Sequence, residues 1–270
     1  MLNRLSDAMS KFSFCMRVSA GPATFIKLLY FTKRFSWYKA RCGGSAGNSQ
    51  KIRYEVYLNS KRCIIYLRTY AGDIDIFYEI FWRSVYRLPL TLNGKPAIIA
   101  DMGSNIGMSA LYFATRYPNA RIICLEPGAE NFVLLQQNCA PFENIITRQA
   151  ALLPEDGWVS IQRAEWEYNN TVAVAGIGDG AVPGISMHTL LREYQLPQID
   201  LLKMDIEGAE EAIFEGDTRW LQQVRQVLME IHVRGQKSVA LKVLTAARFI
   251  TSRLHHDGSP SNLFLAKKYP

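Results

Sequence analysis

Cysteine is scarce in this chain of 270 residues: Cys15, Cys42, Cys63, Cys124 and Cys139 are odd in number, scattered, and form no C-x-x-C pair. A disulfide framework and a thiolate zinc site are both excluded by that pattern, and a reduced, cytoplasmic protein is the simplest expectation. Long apolar runs are missing as well. None reaches the roughly 18 residues that a membrane-crossing helix requires. The first residues lack a continuous apolar stretch followed by a small-residue cleavage site, so no secretory signal is expected. There is no internal repeat and no low-complexity tract. Histidine occurs four times, and His188, His255 and His256 are isolated from other candidate ligands.

Acid is what the first third lacks. Residues 1 to 95 hold 16 Lys+Arg against 5 Asp+Glu, whereas residues 96 to 270 hold 15 against 19, which together give the net +7 of the whole chain. The basic residues alternate with aromatics between Phe25 and Lys39. Such a segment suits an anionic membrane surface or an acidic substrate; it equally suits a helix packed on the core with a solvated basic face. Peripheral membrane association is therefore one expectation for this basic N-terminal extension of residues 1–95.

What is present is a strand-turn-helix signal. Pro96 to Ala100 is small and apolar, Asp101 is an acid, and Gly103 and Gly107 bracket a turn that opens a helical stretch from Met108 to Tyr117. A buried parallel strand entering a tight loop and a helix reads this way, and the free N–H groups of the helix start invite a ligand. About twenty residues on, Arg121 to Leu125 reads as a second strand ending at Glu126, from which a carboxylate reaches ribose hydroxyls. The dinucleotide fingerprint is not matched, because the glycines stand four apart and Asp101 occupies the pyrophosphate position. A carboxylate repels phosphate and suits a cation, so the charge favours S-adenosylmethionine, a sulfonium and ammonium carrier.

Four segments in order, Asp101-Met102-Gly103-Ser104-Asn105-Ile106-Gly107, Leu125-Glu126-Pro127, Leu201 to Glu210 and Met229-Glu230-Ile231-His232, resemble the FkbM family of S-adenosylmethionine-dependent O-methyltransferases. The resemblance runs from about Arg62 to the C-terminus. Its most specific element is the Lys-x-Asp-x-Glu-Gly-Ala-Glu block at Lys203 to Glu210. It implies an α/β, class I Rossmann-like fold: a seven-stranded, mostly parallel sheet with an antiparallel C-terminal hairpin, preceded by a helical and β-hairpin extension. It also implies a hydroxyl acceptor on a small molecule, a sugar or glycan, or a natural product. The family's entry to the core has an arginine, an aspartate and a tyrosine that correspond to Arg68, Asp73 and Tyr86. Asp73 is accordingly expected either to close one side of the cofactor pocket or to cap a helix.

The hydrophobic periodicity agrees with that fold. Met1 to about Arg41 reads as helix, Tyr54–Leu58 and Cys63–Arg68 as a hairpin, and Asp73–Tyr86 as a helix. From residue 96 to 270, the methyltransferase domain, strands are expected at 97–101, 121–125, 144–148, 199–204, 226–231, 249–254 and 262–267. Helices are expected at 105–117, 129–139, 186–194, 208–219 and 236–247. Residues 157 to 184 fit this alternation least and read as an irregular insertion suited to substrate selection, with a short strand at Trp158 to Gln162.

Ligands of an open parallel sheet bind beyond the carboxyl ends of its strands. Gly103 and Asn105 are thus expected to face the methionine part of the cofactor with Asp101 nearby, Glu126 to hold the ribose, and Ala150 and Ala151 to lie beside the adenine, with Ser104, Gly107 and Pro127 also among the cofactor contacts. Methyl transfer to a hydroxyl is an in-line displacement that needs a base, and His232 titrates near neutrality. Glu230 lies on the same strand face. Asp205, which also counts among the cofactor contacts, and Glu207 would orient the substrate or the base. Lys203 would either stabilise alkoxide charge or pair with a carboxylate. A divalent ion could also sit among such acids, but nothing has metal-ligand spacing and no metal is assigned. Two alternatives stand beside this reading: a nucleic-acid or other N-methyltransferase, suggested by the basic extension, and a module of methyltransferase fold that docks on a membrane or partner. Against the first, the chain carries Asp205-Ile206-Glu207-Gly208 where amino-methylating enzymes carry an Asn/Asp-Pro-Pro-aromatic block, so nucleic acid is not expected as a partner.

Overall fold

Apart from Asp101 and Lys203, the runs Ile98-Ile99-Ala100-Asp101-Met102 and Leu201-Leu202-Lys203-Met204 are apolar on both faces, and each becomes a central strand with almost every side chain buried. The computed structural model describes residues 2–42, 49–87, 98–162, 171–174, 181–231, 238–256 and 259–269. These fall into two compact units, one up to residue 87 and one from residue 98 onward.

The first unit contains α1 (Leu2–Val18), α2 (Pro22–Cys42), the hairpin β1 (Lys51–Leu58) and β2 (Lys61–Arg68), and α3 (Asp73–Phe81). One continuous helix to Arg41 was the expectation, but the chain breaks at Ser19–Gly21. Pro22 has no N–H to donate and disfavours helical backbone in the residue before it, so it starts a new helix instead of extending the old one. Asn59 and Ser60 both take positive φ, 45° and 66°, as a two-residue hairpin turn demands. The helix expected to reach Tyr86 stops at Phe81, and Ser84 beyond it is left-handed at φ 55°. Phe14, Leu28, Phe35, Val56, Ile65 and Phe77 form the interior of this unit.

In the second unit the seven-stranded sheet has the order β12-β13-β11-β10-β3-β4-β5. Its strands are β3 (Ile98–Met102), β4 (Arg121–Leu125), β5 (Ile145–Arg148), β10 (Leu201–Met204), β11 (Gln226–Glu230), β12 (Phe249–His256) and β13 (Ser259–Lys268). Pairing is parallel from β11 to β5, and antiparallel where β13 joins β11 and β12. This is the expected doubly wound sheet with its terminal hairpin. The chain leaves β3 towards β4 and β5, then returns to β10 on the other side, which makes the gap between β3 and β10 the topological switch point. Helices α4 (Met108–Arg116), α5 (Ala129–Cys139), α6 (Met187–Glu193), α7 (Glu210–Glu215) and α8 (Val239–Ala246) join the strands. The helix expected over 208–219 is instead α7 followed by a 3₁₀ turn at Arg219–Gln223.

The stretch expected to be irregular holds a second sheet. Strands β6 (Ala151–Leu152), β7 (Gly157–Gln162), β8 (Thr171–Val174) and β9 (Ala181–Ile185) lie in the order β6-β9-β7-β8. Each is only two to six residues long, so composition disguises all but β7, which is the short strand expected at Trp158 to Gln162; pairing along the backbone is what makes them strands.

Candidate active site

The carboxyl ends of β3, β4 and β10 converge at the switch point. Asp101, next to last in β3, is in register with Lys203 of β10 on one side and Cys124 of β4 on the other. Its carboxylate is fully buried: Ser109 Oγ donates to Oδ2 at 2.6 Å, and Lys203 Nζ lies 3.2 Å from Oδ1. The same ammonium, 3% exposed, donates to the Gly103 carbonyl at 2.7 Å and lies 3.6 Å from Asp205 Oδ2. Of the two roles expected for Lys203, the geometry shows the pairing: its charge is taken up inside the protein by Asp101, Gly103 and Asp205.

The turn after β3 is fastened to the neighbouring strand. The N–H groups of Gly103 and Ser104 both donate to the Leu125 carbonyl, and Ser104 Oγ donates to the Asp101 carbonyl. Gly103 is left-handed at φ 77°, and a Cβ there would stand 1.9 Å from the Asp205 carbonyl oxygen. Only a residue without a side chain lets the ends of β3 and β10 come this close. Gly107, at φ 90°, sits as the N-cap of α4 with Cys139 and Leu135 against it.

Glu126 follows β4 and is 6% exposed. Its Oε2 accepts from Asn105 N at 2.9 Å, and its Oε1 accepts from Gly128 N at 2.9 Å and Asn131 Nδ2 at 3.3 Å. Burial pushes its carboxyl above the usual range, and these three hydrogen bonds oppose the shift. An ionised carboxylate offers about four acceptor positions, so three are filled and capacity remains for a further donor. Asn105 Oδ1 is buried and meets no donor among the described residues. Two open acceptors, with three carboxylates against one ammonium at Asp101, Asp205, Glu126 and Lys203, fit a ligand that brings hydroxyl and ammonium donors.

The remaining expected residues divide. Pro127 accepts at its carbonyl from Gln149 Nε2, while Ala150 and Ala151 are buried in the interior. Strand β10 ends at Met204, so alternation reaches Asp205 and stops; Glu207 lies in a turn at φ 53°, followed by Gly208 at φ 98°. Glu230 ends β11 opposite Leu263 of β13. His232 lies outside the described residues. Asp73 is in the first unit, fully buried, and is not a helix cap, since Gly72 takes that position. Its carboxylate accepts from Arg68 N, Nε and an amino group at 2.7, 3.0 and 2.9 Å, and Tyr86 is buried beyond the end of α3.

Two residues escaped the sequence reading although both belong to or adjoin its most specific block. Glu210, 1% exposed, accepts from Ile206 N and Gly208 N, both at 3.0 Å, and so holds the turn that carries Asp205 and Glu207. Glu211 Oε2 accepts from Val239 N and Ala240 N at the start of α8. An acid at the first turn of a short helix after a glycine is the signal that could have found them. Among the described residues no group of three His, Cys, Asp or Glu side chains is placed to hold a metal ion.

The FkbM methyltransferase domain matches residues 101–256, more than half of the chain. This chain belongs to the FkbM methyltransferase family. It is a methyltransferase with the Rossmann-like fold of that class. Hexuronic acid methyltransferase AglP of Haloferax volcanii is 29% identical over 179 residues, covering 65% of this chain and 73% of its own. Methyltransferase sdnD of Sordaria araneosa is 27% identical over 191 residues, with 57% and 73% covered. The 2-O-methyltransferase NoeI of Sinorhizobium fredii is 24% identical over 165 residues, with 54% and 68% covered. Each alignment includes more than two thirds of the relative's length.

Proposed function

We propose that this FkbM methyltransferase transfers a methyl group from S-adenosylmethionine to a hydroxyl of a sugar, glycan or natural-product acceptor. The observation that carries the donor is the tie between Asn105 and Glu126 beside the buried Asp101–Lys203 pair, a site with open acceptors and excess negative charge. When bound, the donor supplies a methyl group made electrophilic by the sulfonium. Glu126 accepts from the ribose, Asn105 and Asp205 face the methionine end, and Gly103, Ser104 and Gly107 shape the turn that receives it. The backbone at Ala150 and Ala151 borders the adenine, and Pro127 adjoins the cofactor next to Glu126.

For the acceptor, support comes from relatives whose names specify a hexuronic acid and a 2-O position. An alkyl or sugar hydroxyl holds its proton far above neutral pH, so a base must take it as the carbon–oxygen bond forms. His232 is the base in this reading, with Glu230 and Glu207 orienting the imidazole or the acceptor. Two measurements test it. Calorimetry with S-adenosylhomocysteine should show uptake at one site, and labelled donor with uronic-acid and neutral sugar acceptors should give an oxygen-linked methyl, lost in His232→Ala. No uptake, or a methyl on nitrogen, overturns the proposal.

A further inference from the structure

Helix α2 buries one face and leaves the other uncovered. Thr24, Leu28 and Phe35 are within the first unit, whereas Ile26 is 63% exposed, Tyr30 54% and Trp37 56%. Ile26, Tyr30, Lys33 and Trp37 are spaced four, three and four residues apart, so they form one stripe along the helix. Lys27, Arg34 and Arg41 flank it, and they too are exposed. The helix carries five cations and not one acid. Of the five, Lys39 pairs with Asp75, while Arg41 stacks over Trp37 at 4.5 Å and Arg34 donates to the Tyr30 and Tyr70 hydroxyls. Arginine against exposed aromatics preserves its charge and leaves it facing outward. In α1, Met9 and Met16 are a further 68% and 61% exposed, and Phe12, 48% exposed, meets Phe25 of α2 edge-on at 5.3 Å.

We propose that the outward face of α2 docks on an anionic lipid bilayer. Three alternatives would cover an exposed apolar stripe: a second copy, a nucleic acid, or a membrane. A two-fold contact between copies would bring two faces of the same sign together, each with Lys27, Lys33, Arg34 and Arg41 and no acid from α2 to offset them. Nucleic acid suits the cations and the aromatic rings, yet it gives no burial to Ile26 or to the methionines of α1. A membrane surface accepts every component: aliphatic side chains enter the acyl boundary, Tyr and Trp sit at headgroup level, and lysine and arginine meet anionic lipid. The proposal stands on the first unit alone and does not depend on which acceptor is methylated.

Sedimentation of the full chain with vesicles tests it. Vesicles of phosphatidylcholine containing one third phosphatidylglycerol should bind about tenfold more tightly than phosphatidylcholine alone, and about 0.5 M salt should weaken that binding. Lys33→Glu with Arg41→Glu should abolish the preference, and Ile26→Ser with Trp37→Ser should reduce binding to both. All four side chains are exposed, so each pair should melt near the wild type; if the second pair does not, the charge pair still decides. Equal binding to both vesicle types, wild-type binding by the charge pair, release from vesicles by single-stranded RNA, or a native dimer that either pair dissociates would overturn the proposal.

Discussion

The backbone N–H of Asn105 donates to Glu126 Oε2 at 2.9 Å, which fastens the turn after β3 to the acid after β4. Neither segment is placed independently of the other: the turn after β3 and the acid after β4 move together or not at all. The same bond uses part of the Glu126 carboxylate, so this group is structural before any ligand arrives.

Glu126 therefore links pH to both folding and binding. Burial raises its carboxyl above the ordinary value of 4.5. A raised acid contributes stability that is complete below the unfolded-chain value and is lost as pH climbs through the folded one. Urea unfolding of wild type should slope downward over that window relative to Glu126→Gln, which has no charge to bury. Binding of S-adenosylhomocysteine should run the other way, falling as acid protonates the carboxylate. In Glu126→Gln it should be flat with pH and roughly tenfold weaker near neutrality.

Two glycines in the site share a left-handed backbone but differ in their surroundings. At Gly103 a Cβ would collide with the Asp205 carbonyl, whereas at Gly208 nothing lies within 4 Å. Gly103→Ala should cost about 2–4 kcal/mol, from backbone strain together with the forced separation of β3 and β10. Gly208→Ala should cost about 1 kcal/mol from strain alone. Chemical denaturation of the two variants side by side checks the difference, and similar losses would contradict the close approach.

Much of this was legible in the sequence. The strands at 121–125 and 226–230 and the helix at 129–139 lie where periodicity puts them, because each is a single apolar run or stripe between clear breakers. The turn from Asp101 to Gly107 and Glu126 were legible because acid and glycine in that spacing have few other uses. Distance-dependent facts were not. That Lys203 spends its charge on Asp101 follows from register between strands a hundred residues apart, and periodicity within either strand carries no information about it. Of the sheet β6-β9-β7-β8 only β7 was legible, as the short strand at Trp158 to Gln162; β6, β8 and β9, of two to five residues, are too short to show a period.

Lys203 gives the third expectation. Its ammonium is buried beside Asp101, and removing it leaves that carboxylate without a countercharge. Lys203→Met should destabilise by about 3–5 kcal/mol, the usual result of breaking a buried pair from one side. Adding Asp101→Asn should recover a substantial part of the loss, and a double-mutant cycle by denaturation measures the coupling. Additive losses would mean that the pair is not energetically joined.

Glu210 holds the turn after β10 through backbone amides alone. Both carboxylate oxygens are occupied by backbone, Oε1 by Ile206 N and Oε2 by Gly208 N, and between those two amides lies Glu207 in a left-handed conformation. A non-glycine residue holds that conformation only when its neighbours enforce it, and Glu210 grips the amides on either side of it. Glu210→Ala removes both acceptors and should lower stability by about 1–3 kcal/mol. The sharper consequence is local: the Ile206 and Gly208 amides should lose protection from hydrogen exchange far beyond the drop in global stability. Glu210→Gln keeps one acceptor oxygen but turns an amide donor towards the other N–H, so it should protect one of the two amides and expose the other. Methyl transfer should fall in the same order, wild type above Glu210→Gln above Glu210→Ala, with a smaller loss in binding of S-adenosylhomocysteine, because of the proposed cofactor contacts only Asp205 lies on that turn while Glu126 and Asn105 are untouched. If exchange at 206 and 208 merely follows global unfolding in both variants, Glu210 is an ordinary buried acid and the turn is held by something else.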